Sequence, residues 1–230
     1  MDQETPSSLT VALPAGEAVV SAMLAVPDEP WAAIGIAHGA GTRMDHPFIA
    51  GFAAAMAAHG VAAMRFNFPY SEAGRRMPGP PAHAVATWAA ADAALREAVP
   101  GVPVVASGRS YGGRMASMAA AAGAIEPAAL VYLGYPLHPP GRPDSPRVEH
   151  LPSITAPQLF LSGESDPFVD PHDQLEQAVA SCQDAVLEWA PGGHGFDVKG
   201  RKAAPADLAA EIAERVERFL RVRLVAERRV

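Results

Sequence analysis

The feature that most constrains the fold of this chain is a sharp turn between an apolar strand and a helix, centred on Ser110. Residues 102–106 are rich in β-branched side chains and predict a buried strand, and apolar residues resume at helical spacing after Gly112. The turn itself reads Gly-Arg-Ser-Tyr-Gly, a G-x-S-x-G pattern that strains the serine backbone and lifts its hydroxyl clear of the sheet. The same residues also fit an ordinary glycine-rich turn with a serine N-cap. The choice between these two interpretations depends on whether catalytic partners for the serine occur elsewhere in the chain.

Strands and helices alternate along the rest of the chain. Strands are predicted at residues 9–13, 19–26, 31–37, 61–68, 128–133, 157–163 and 185–189, the first two as a hairpin. Helices are predicted from the cap Asp45 to the stop Gly60, over 82–98, after Ser110, over 170–181, and along the apolar residues from Leu208 to Leu220. This order predicts an α/β fold with a mostly parallel, doubly wound sheet flanked by helices.

The length of the chain favours one domain. We expect a single domain over residues 1–230, with its core at about 10–225. Residues 69–81 mix prolines and glycines with charged side chains and predict an exposed loop. Residues 136–152 are rich in proline and lack helical periodicity, so they predict a loop in place of a helical lid, with a minimal cap domain or none.

Composition argues against several kinds of partner. The net charge of −7 disfavours binding to nucleic acid. Cys182 is the only cysteine, so neither an intramolecular disulfide nor a multi-cysteine metal site can form. The N-terminus lacks the layout of a signal peptide, and no apolar run reaches membrane-spanning length. We therefore expect a cytoplasmic protein with no membrane partner, and the sequence does not set its oligomeric state.

Three residues in loops have the chemistry of nucleophilic catalysis. In a doubly wound sheet the loops at the carboxyl ends of the strands meet at one edge, which brings Ser110, Asp166 and His194 together. We assign Ser110 as nucleophile, His194 as general base and then acid, and Asp166 as the carboxylate that orients the base. The glycines around His194 suggest a base held at an unusual backbone angle. Glu164 and Asp170 compete for the carboxylate role, but Asp170 better fits a cap of the next helix.

Attack by the serine on a carbonyl group forms an oxyanion, which needs hydrogen-bond donors. The glycine-rich loop after the third strand is expected to supply one of them. A backbone N–H of Ala40 or Gly41 is expected to pair with that of Tyr111. His38 is expected to hydrogen-bond within this loop. Neither a P-loop ending nor a G-x-G-x-x-G turn follows, and H-E-x-x-H is absent from the sequence, so no cofactor and no metal are expected.

Five short motifs together resemble a compact α/β-hydrolase of the dienelactone-hydrolase-like type. They are residues 37–41 (Ala-His-Gly-Ala-Gly), 65–69 (Arg-Phe-Asn-Phe-Pro), 108–113 (Gly-Arg-Ser-Tyr-Gly-Gly), 163–167 (Gly-Glu-Ser-Asp-Pro) and 193–196 (Gly-His-Gly-Phe). The resemblance extends over about residues 10 to 225. It implies the same catalytic roles for Ser110, Asp166 and His194. Dienelactone hydrolases proper have a cysteine nucleophile, so the serine implies a broader carboxylic-ester hydrolase.

The sequence therefore predicts a serine hydrolase that cleaves small-molecule carboxylic esters or lactones through an acyl-enzyme. Two alternatives remain: a hydrolase-fold binding or scaffold protein without catalysis, and an acyltransferase or peptidase that uses the same three residues. Arginines in or near the edge loops either favour an acidic substrate or are solvated loop charges; they are Arg43, Arg75, Arg76 and Arg109.

Overall fold

The computed structural model describes residues 4–225 and arranges them around an eight-stranded sheet. The strands are β1 (Thr5–Leu13), β2 (Gly16–Ala25), β3 (Ala32–Ala37), β4 (Val61–Phe66), β5 (Val104–Arg109), β6 (Ala129–Leu133), β7 (Gln158–Gly163) and β8 (Ala185–Ala190). Their order is β1-β2-β4-β3-β5-β6-β7-β8. β1 and β2 pair antiparallel at one edge, β2 joins β4 antiparallel, and the remaining strands are parallel. The predicted α/β fold with a mostly parallel sheet is confirmed.

The register of the central strands brings their carboxyl ends level. Ala37 at the end of β3 lies beside Phe66 of β4 on one side and Gly108 of β5 on the other. Every residue of β3, β4 and β7 is buried. Strands covered on both faces need apolar residues at consecutive positions, which explains the continuous apolar runs in the sequence. The loops that follow these strands therefore leave the sheet at one edge.

Helices cover both faces of the sheet. They are α1 (Pro47–Ala58), α2 (Pro69–Glu72), α3 (Pro81–Ala98), α4 (Tyr111–Ala121), α5 (His172–Ala180) and α6 (Pro205–Leu220), with a 3₁₀ turn at Leu151–Ser153 and a π turn at Arg221–Val225. α1 and α6 pack on one face, and α3, α4 and α5 pack on the other. No helix in the described part of the chain has the length and apolar character needed to cross a membrane.

Two predicted helix caps are wrong. α1 is capped by His46 and not by Asp45, because Pro47 occupies the first helical position and the Nδ1 of His46 accepts a hydrogen bond from the N–H of Phe48 at 3.2 Å. Asp170 does not cap α5, because that helix begins at His172 and its cap position belongs to Pro171, which has no side-chain acceptor.

The loop predicted at residues 69–81 begins instead with a short buried helix. Pro69 starts α2, and Tyr70 and Ser71 within it are buried. The carboxylate of Glu72 accepts hydrogen bonds from the backbone N–H and the hydroxyl of Ser21, both at 3.0 Å, and from the amide of Asn67 at 2.8 Å. These bonds fix the start of the segment to β2 and to the end of β4, which a composition argument does not anticipate.

The segment after β6 carries no helix until the 3₁₀ turn at Leu151–Ser153. It is nevertheless tied down. The hydroxyl of Tyr135 donates to the carbonyl of Arg147 at 2.7 Å, the N–H of Arg147 donates to the carbonyl of Leu137 at 2.8 Å, and the N–H of His138 donates to the carbonyl of Phe168 at 3.2 Å. We call residues 136–150 the tethered loop.

The single-domain organisation stays a prediction.

The turn between β5 and α4 depends on contact between backbones. Gly112 lies where α4 passes over the end of β3, and a Cβ atom there would come within 2.6 Å of the carbonyl oxygens of Ala37 and His38. A Cβ on Gly108 would run into the backbone of Gly112 and Gly113 in the same way. The glycines of the motif therefore allow strand and helix to touch without side chains between them.

We predict that Gly112→Ala lowers the free energy of unfolding by about 2–3 kcal/mol, because backbone carbonyls cannot move aside for the added methyl group. Urea unfolding measures the change. The matched control is Gly79→Ala, where the nearest atom to the new Cβ is 3.7 Å away, and its stability is expected to change by less than about 1 kcal/mol. If both substitutions lowered the free energy of unfolding equally, the close backbone contact at Gly112 would not be the cause.

Candidate active site

Ser110 occupies a strained backbone conformation at the start of α4. Its φ is 49° and its ψ is −116°, and Phe196 is the other non-glycine residue with positive φ in the described part of the chain. Such a conformation costs about 1–3 kcal/mol and persists only where the surroundings enforce it. Here the N–H of Ser110 donates to the carbonyl of Leu133 at 3.0 Å, which anchors the turn to β6. The strain places the hydroxyl at the carboxyl edge of the sheet.

A chain of short hydrogen bonds joins Ser110, His194 and Asp166. The Oγ of Ser110 lies 2.8 Å from Nε2 of His194, and Nδ1 of the same ring lies 2.7 Å from Oδ2 of Asp166. Because an ionised carboxylate can only accept, the proton of the neutral imidazole resides on Nδ1, and Nε2 is left to accept from the serine hydroxyl. The arrangement can therefore remove a proton from Ser110.

Burial differs along this chain of groups. The side chain of Asp166 is completely buried, whereas that of His194 is 22% exposed. The second carboxylate oxygen, Oδ1, accepts from the N–H of Phe168 at 2.9 Å, so both oxygens of Asp166 have a donor. The competing carboxylates Glu164 and Asp170 are exposed. The structure thus brings Asp166, and not its neighbours, to the imidazole.

A glycine that was not identified from the sequence packs closely against His194. Gly134, at φ 72°, follows β6, and a Cβ there would lie 3.4 Å from Nδ1 and Cε1 of His194. The ring of Phe168 covers the imidazole with its centroid 4.2 Å away. The predicted unusual backbone angle at His194 is wrong: the positive φ values of this loop belong to Gly192, at 103°, and Phe196, at 61°. Those two residues turn the chain on either side of the histidine.

The loop after β3 runs beside Ser110: a Cβ on Gly39 would lie 3.7 Å from the Cβ of Ser110. Three donors converge on the carbonyl of Gly39: Nδ1 of His38 at 2.8 Å, and the hydroxyl and N–H of Thr42 at 2.9 and 3.3 Å. The carbonyl of a trans peptide points opposite to the N–H of the next residue, so these bonds also fix the direction of the Ala40 N–H. Ala40 lines the cavity at Ser110 and Gly41 does not. Of the two predicted donors, the geometry favours Ala40.

His38 supports this loop as a neutral imidazole. It is fully buried, and burial lowers its pKa to about 4. Its Nδ1 donates to the carbonyl of Gly39, and its Nε2 accepts from the N–H of Phe68 at 3.2 Å. As expected from the sequence, His38 hydrogen-bonds within and behind the loop, and it is poorly placed to act as a base.

A cavity of about 340 Å³ opens above Ser110. It is lined by Gly39, Ala40, Thr42, His46, Arg109, Ser110, Tyr111, Arg114, Pro136, Arg147, Phe168 and His194. Within residues 4–225, no three His, Cys, Asp or Glu side chains are grouped as ligands of a metal ion.

Of the four arginines named from the sequence, only Arg109 lines the cavity. Arg43 donates to the carbonyl of Ser71 at 2.7 Å, and Arg75 and Arg76 are exposed. Two further arginines of the cavity, Arg114 and Arg147, were not identified from the sequence. Arg114 lies one helical turn after Ser110, a spacing that could have identified it. Arg147 lies in the aperiodic tethered loop, where no sequence signal marks it.

Solved structures share the fold over nearly the whole chain. A dienelactone hydrolase from Anabaena variabilis matches with a TM-score of 0.75 at 22% identity, covering 97% of this chain and 99% of that one. A serine hydrolase without a lid from Xanthomonas campestris matches with 0.68 at 20% identity, covering 93% and 94%. A cold-adapted esterase from an Arctic intertidal metagenomic library matches with 0.69 at 20% identity, covering 96% and 94%.

Sequence comparison gives a family and no curated relative. A family model described as an alpha/beta hydrolase domain matches residues 31–222, which include every strand from β3 to β8 and the loops that carry Ser110, Asp166 and His194. No curated protein matches the chain.

We predict that His38 makes the protein less stable in mild acid. As pH falls, the unfolded chain takes up a proton at the ordinary histidine pKa of about 6.5, while the buried residue resists down to about 4, so stability is lost through that window. This residue is expected to remove about 2 kcal/mol of the unfolding free energy between about pH 7.5 and about pH 5.

Urea unfolding of wild type and His38→Asn at the two pH values tests this. The variant is expected to be less stable throughout but to lose about 2 kcal/mol less on acidification. His83→Asn, at a partly exposed histidine, is the control. An unchanged pH slope in His38→Asn would show that another group is responsible.

Proposed function

The chain belongs to the α/β-hydrolase family, and from that premise we propose that it is a serine hydrolase that cleaves carboxylic esters or lactones through an acyl-enzyme. The observation that carries the proposal is the continuous hydrogen bonding from Ser110 through His194 to the buried Asp166, at the floor of a cavity. The names of two structural neighbours, a dienelactone hydrolase and an esterase, support the same class of substrate.

In the first step, the hydroxyl of Ser110 attacks the carbonyl carbon of the substrate. A free serine hydroxyl is a poor nucleophile, and Nε2 of His194 takes its proton as the bond forms. The imidazolium that results is stabilised by the carboxylate of Asp166 on its other nitrogen. Since Asp166 is buried and also accepts from the N–H of Phe168, its carboxylate is held in place while the ring changes charge.

The negative charge on the carbonyl oxygen requires donors that are already in place. We assign this role to the backbone N–H groups of Tyr111, the first residue of α4, and Ala40, whose direction is set by the bonds to the Gly39 carbonyl. Removal of one such donor costs about 10²–10³-fold in turnover in comparable sites. The positive end of the α4 dipole adds to the stabilisation.

The tetrahedral intermediate then collapses to an acyl-enzyme. His194 gives its proton to the leaving alkoxide, which departs as an alcohol, and a water molecule repeats the cycle from the same base to release the acid and free Ser110. The tethered loop contributes one wall of the cavity and carries no helix over it. We therefore expect small, accessible esters as substrates.

The strain at Ser110 and the burial of Asp166 favour catalysis over the scaffold alternative. A backbone at φ 49° and a carboxylate taken completely out of water both oppose folding stability. Both features place groups for proton transfer, and a protein that only binds has no use for them.

We predict that Ser110→Ala lowers kcat/KM for short-chain p-nitrophenyl esters by at least about 10³-fold, because the acyl-enzyme can no longer form. Burst kinetics measure the loss, and mass spectrometry is expected to locate a fluorophosphonate label on Ser110 of the wild type. The control Ser153→Ala, at an exposed serine, is expected to retain activity and labelling. An unlabelled Ser110, together with no activity on a broad panel of esters, would overturn the proposed function.

We predict that Asp166→Asn lowers kcat by about 10⁴-fold while the protein stays folded, because an amide can offer its NH₂ to Nδ1 and so favour the wrong tautomer of His194. Steady-state kinetics and circular dichroism provide the measurement. Glu164→Gln and Asp170→Asn, at the exposed carboxylates nearby, are matched controls and are expected to stay within about twofold of the wild type. A loss in either control that equals the loss in Asp166→Asn would move the role to that residue.

A further inference from the structure

Arginines make the wall of the cavity cationic. Arg109, Arg114 and Arg147 all line it, although the whole chain has a net charge of −7. They come from three different parts of the fold: the end of β5, the first turn of α4 and the tethered loop. None of the three is ion-paired with a carboxylate among residues 4–225.

The charges that act on Arg109 and on Arg147 differ. Arg109 has the carboxylate of Asp197 nearby, which favours its charged form against the effect of burial. On the other side of the cavity, burial lowers the pKa of Arg147, and the charge of Arg114 lowers it further. Burial lowers the pKa of His150, and the charge of Arg114 lowers it further. Arg114 and Arg147 are therefore neighbouring like charges at the cavity, and the exposed carboxylate of Glu149, which acts on Tyr135 and His150, forms an ion pair with neither of them.

One hydrogen-bond donor among these arginines is unused. The Nε of Arg114 is buried and has no hydrogen-bond partner in the described part of the chain. A buried donor without an acceptor destabilises the protein, and a guanidinium matches the two oxygens of a carboxylate especially well. An anion between Arg114 and Arg147 would balance their two like charges.

Both residues are fixed relative to the nucleophile. The N–H of Arg114 donates to the carbonyl of Ser110 at 3.1 Å, so its position follows from the first turn of α4. Arg147 is held through its backbone, which donates to the carbonyl of Leu137 and accepts from the hydroxyl of Tyr135. The backbone positions that carry the two guanidinium groups are therefore fixed relative to Ser110.

We propose that Arg114 and Arg147 form an anion-binding subsite, and that the substrate is a small ester that carries a carboxylate or a similar anionic group beside the scissile carbonyl. This inference rests on the proposed serine hydrolase function. A cavity of about 340 Å³ holds an ester of this size together with its charged group. Charge selection at this wall is independent of the bond-breaking groups Ser110, His194 and Asp166.

Isosteric pairs of esters test the charge preference. On the acyl side, monomethyl succinate is compared with methyl isocaproate; on the alcohol side, the butyryl ester of glycolate is compared with isobutyl butyrate. In each pair a carboxylate replaces an isopropyl group of the same shape. In pH-stat assays we expect the charged ester of at least one pair to have a kcat/KM about 10- to 100-fold above its neutral isostere, and the pair that responds locates the anion on the acyl or the alcohol side.

Variants attribute the preference to the two arginines. In Arg114→Gln and Arg147→Gln, the ratio of charged to neutral kcat/KM is expected to decrease at least tenfold. Arg147→Lys keeps the charge but loses the planar guanidinium, so its ratio is expected to lie between those of the glutamine variants and that of the wild type. The matched control is Arg142→Gln, which removes the same charge from an exposed position in the same loop and is expected to leave the ratio unchanged. A wild type that hydrolyses neutral esters without preference for charged ones overturns the subsite and leaves the hydrolase function intact.

Binding to the inert Ser110→Ala protein gives a readout that does not depend on turnover. Calorimetry with monomethyl succinate and with butyryl glycolate is expected to detect binding of at least one, weakened at least tenfold when Arg147→Gln is added and unchanged when Arg142→Gln is added. Absence of binding by both compounds, or equal binding in all three proteins, rejects the subsite. If Ser110 is unlabelled by fluorophosphonate in the wild type while anion binding depends on Arg147, the hydrolase proposal fails and the subsite stands.

Discussion

The structure depends on the contact of backbone with backbone where α4 crosses the ends of β3 and β5. Side chains at Gly108 or Gly112 would separate these elements, and the carbonyls of Ala37 and His38 lie where a Cβ of Gly112 would point. Because the helix sits directly on the strand ends, its first residue and the loop after β3 come within reach of one another. The strained backbone of Ser110 is the result of that closeness, and it directs the hydroxyl away from the sheet.

The remaining parts of the site follow from the level ends of the parallel strands. Asp166 and His194 each leave the sheet a few residues after β7 and β8, which are adjacent and in register up to Gly163 and Ala190. Their separation is therefore set by the spacing of neighbouring strands, and a hydrogen bond of 2.7 Å forms between residues 28 positions apart. Gly134, directly after β6, packs against His194, and a Cβ there would lie 3.2 Å from its carbonyl oxygen and 3.4 Å from its ring. Each strand from β5 to β8 thus contributes one part of the proton-transfer path.

Local chemistry explains which parts of this could be predicted from the sequence. The strands, the turn at Ser110 and the residues that meet there are each marked by a short pattern: a β-branched run, flanking glycines, or a polar residue just past a strand end. The errors fall where the outcome depends on contacts distant in sequence. The buried helix at Pro69 is held by bonds to Ser21, which composition does not reveal. The helix caps predicted at Asp45 and Asp170 are instead at the next residues, His46 and Pro171. Arg147 enters the cavity only because Tyr135 and Leu137 bind its backbone.

The tethering of residues 136–150 has a consequence for how such a protein changes over time. The loop is held by main-chain bonds, by the hydroxyl of Tyr135, by the contact of His150 with Ser117 and by the buried side chains of Leu137 and His138, whereas the guanidinium of Arg147 takes no part in these contacts. The residue at position 147 can therefore change while the path of the loop is preserved, because its backbone and not its side chain makes the bonds that hold it. A scaffold of this kind can change its substrate preference through one loop position while the residues that break the bond, on other loops, stay the same.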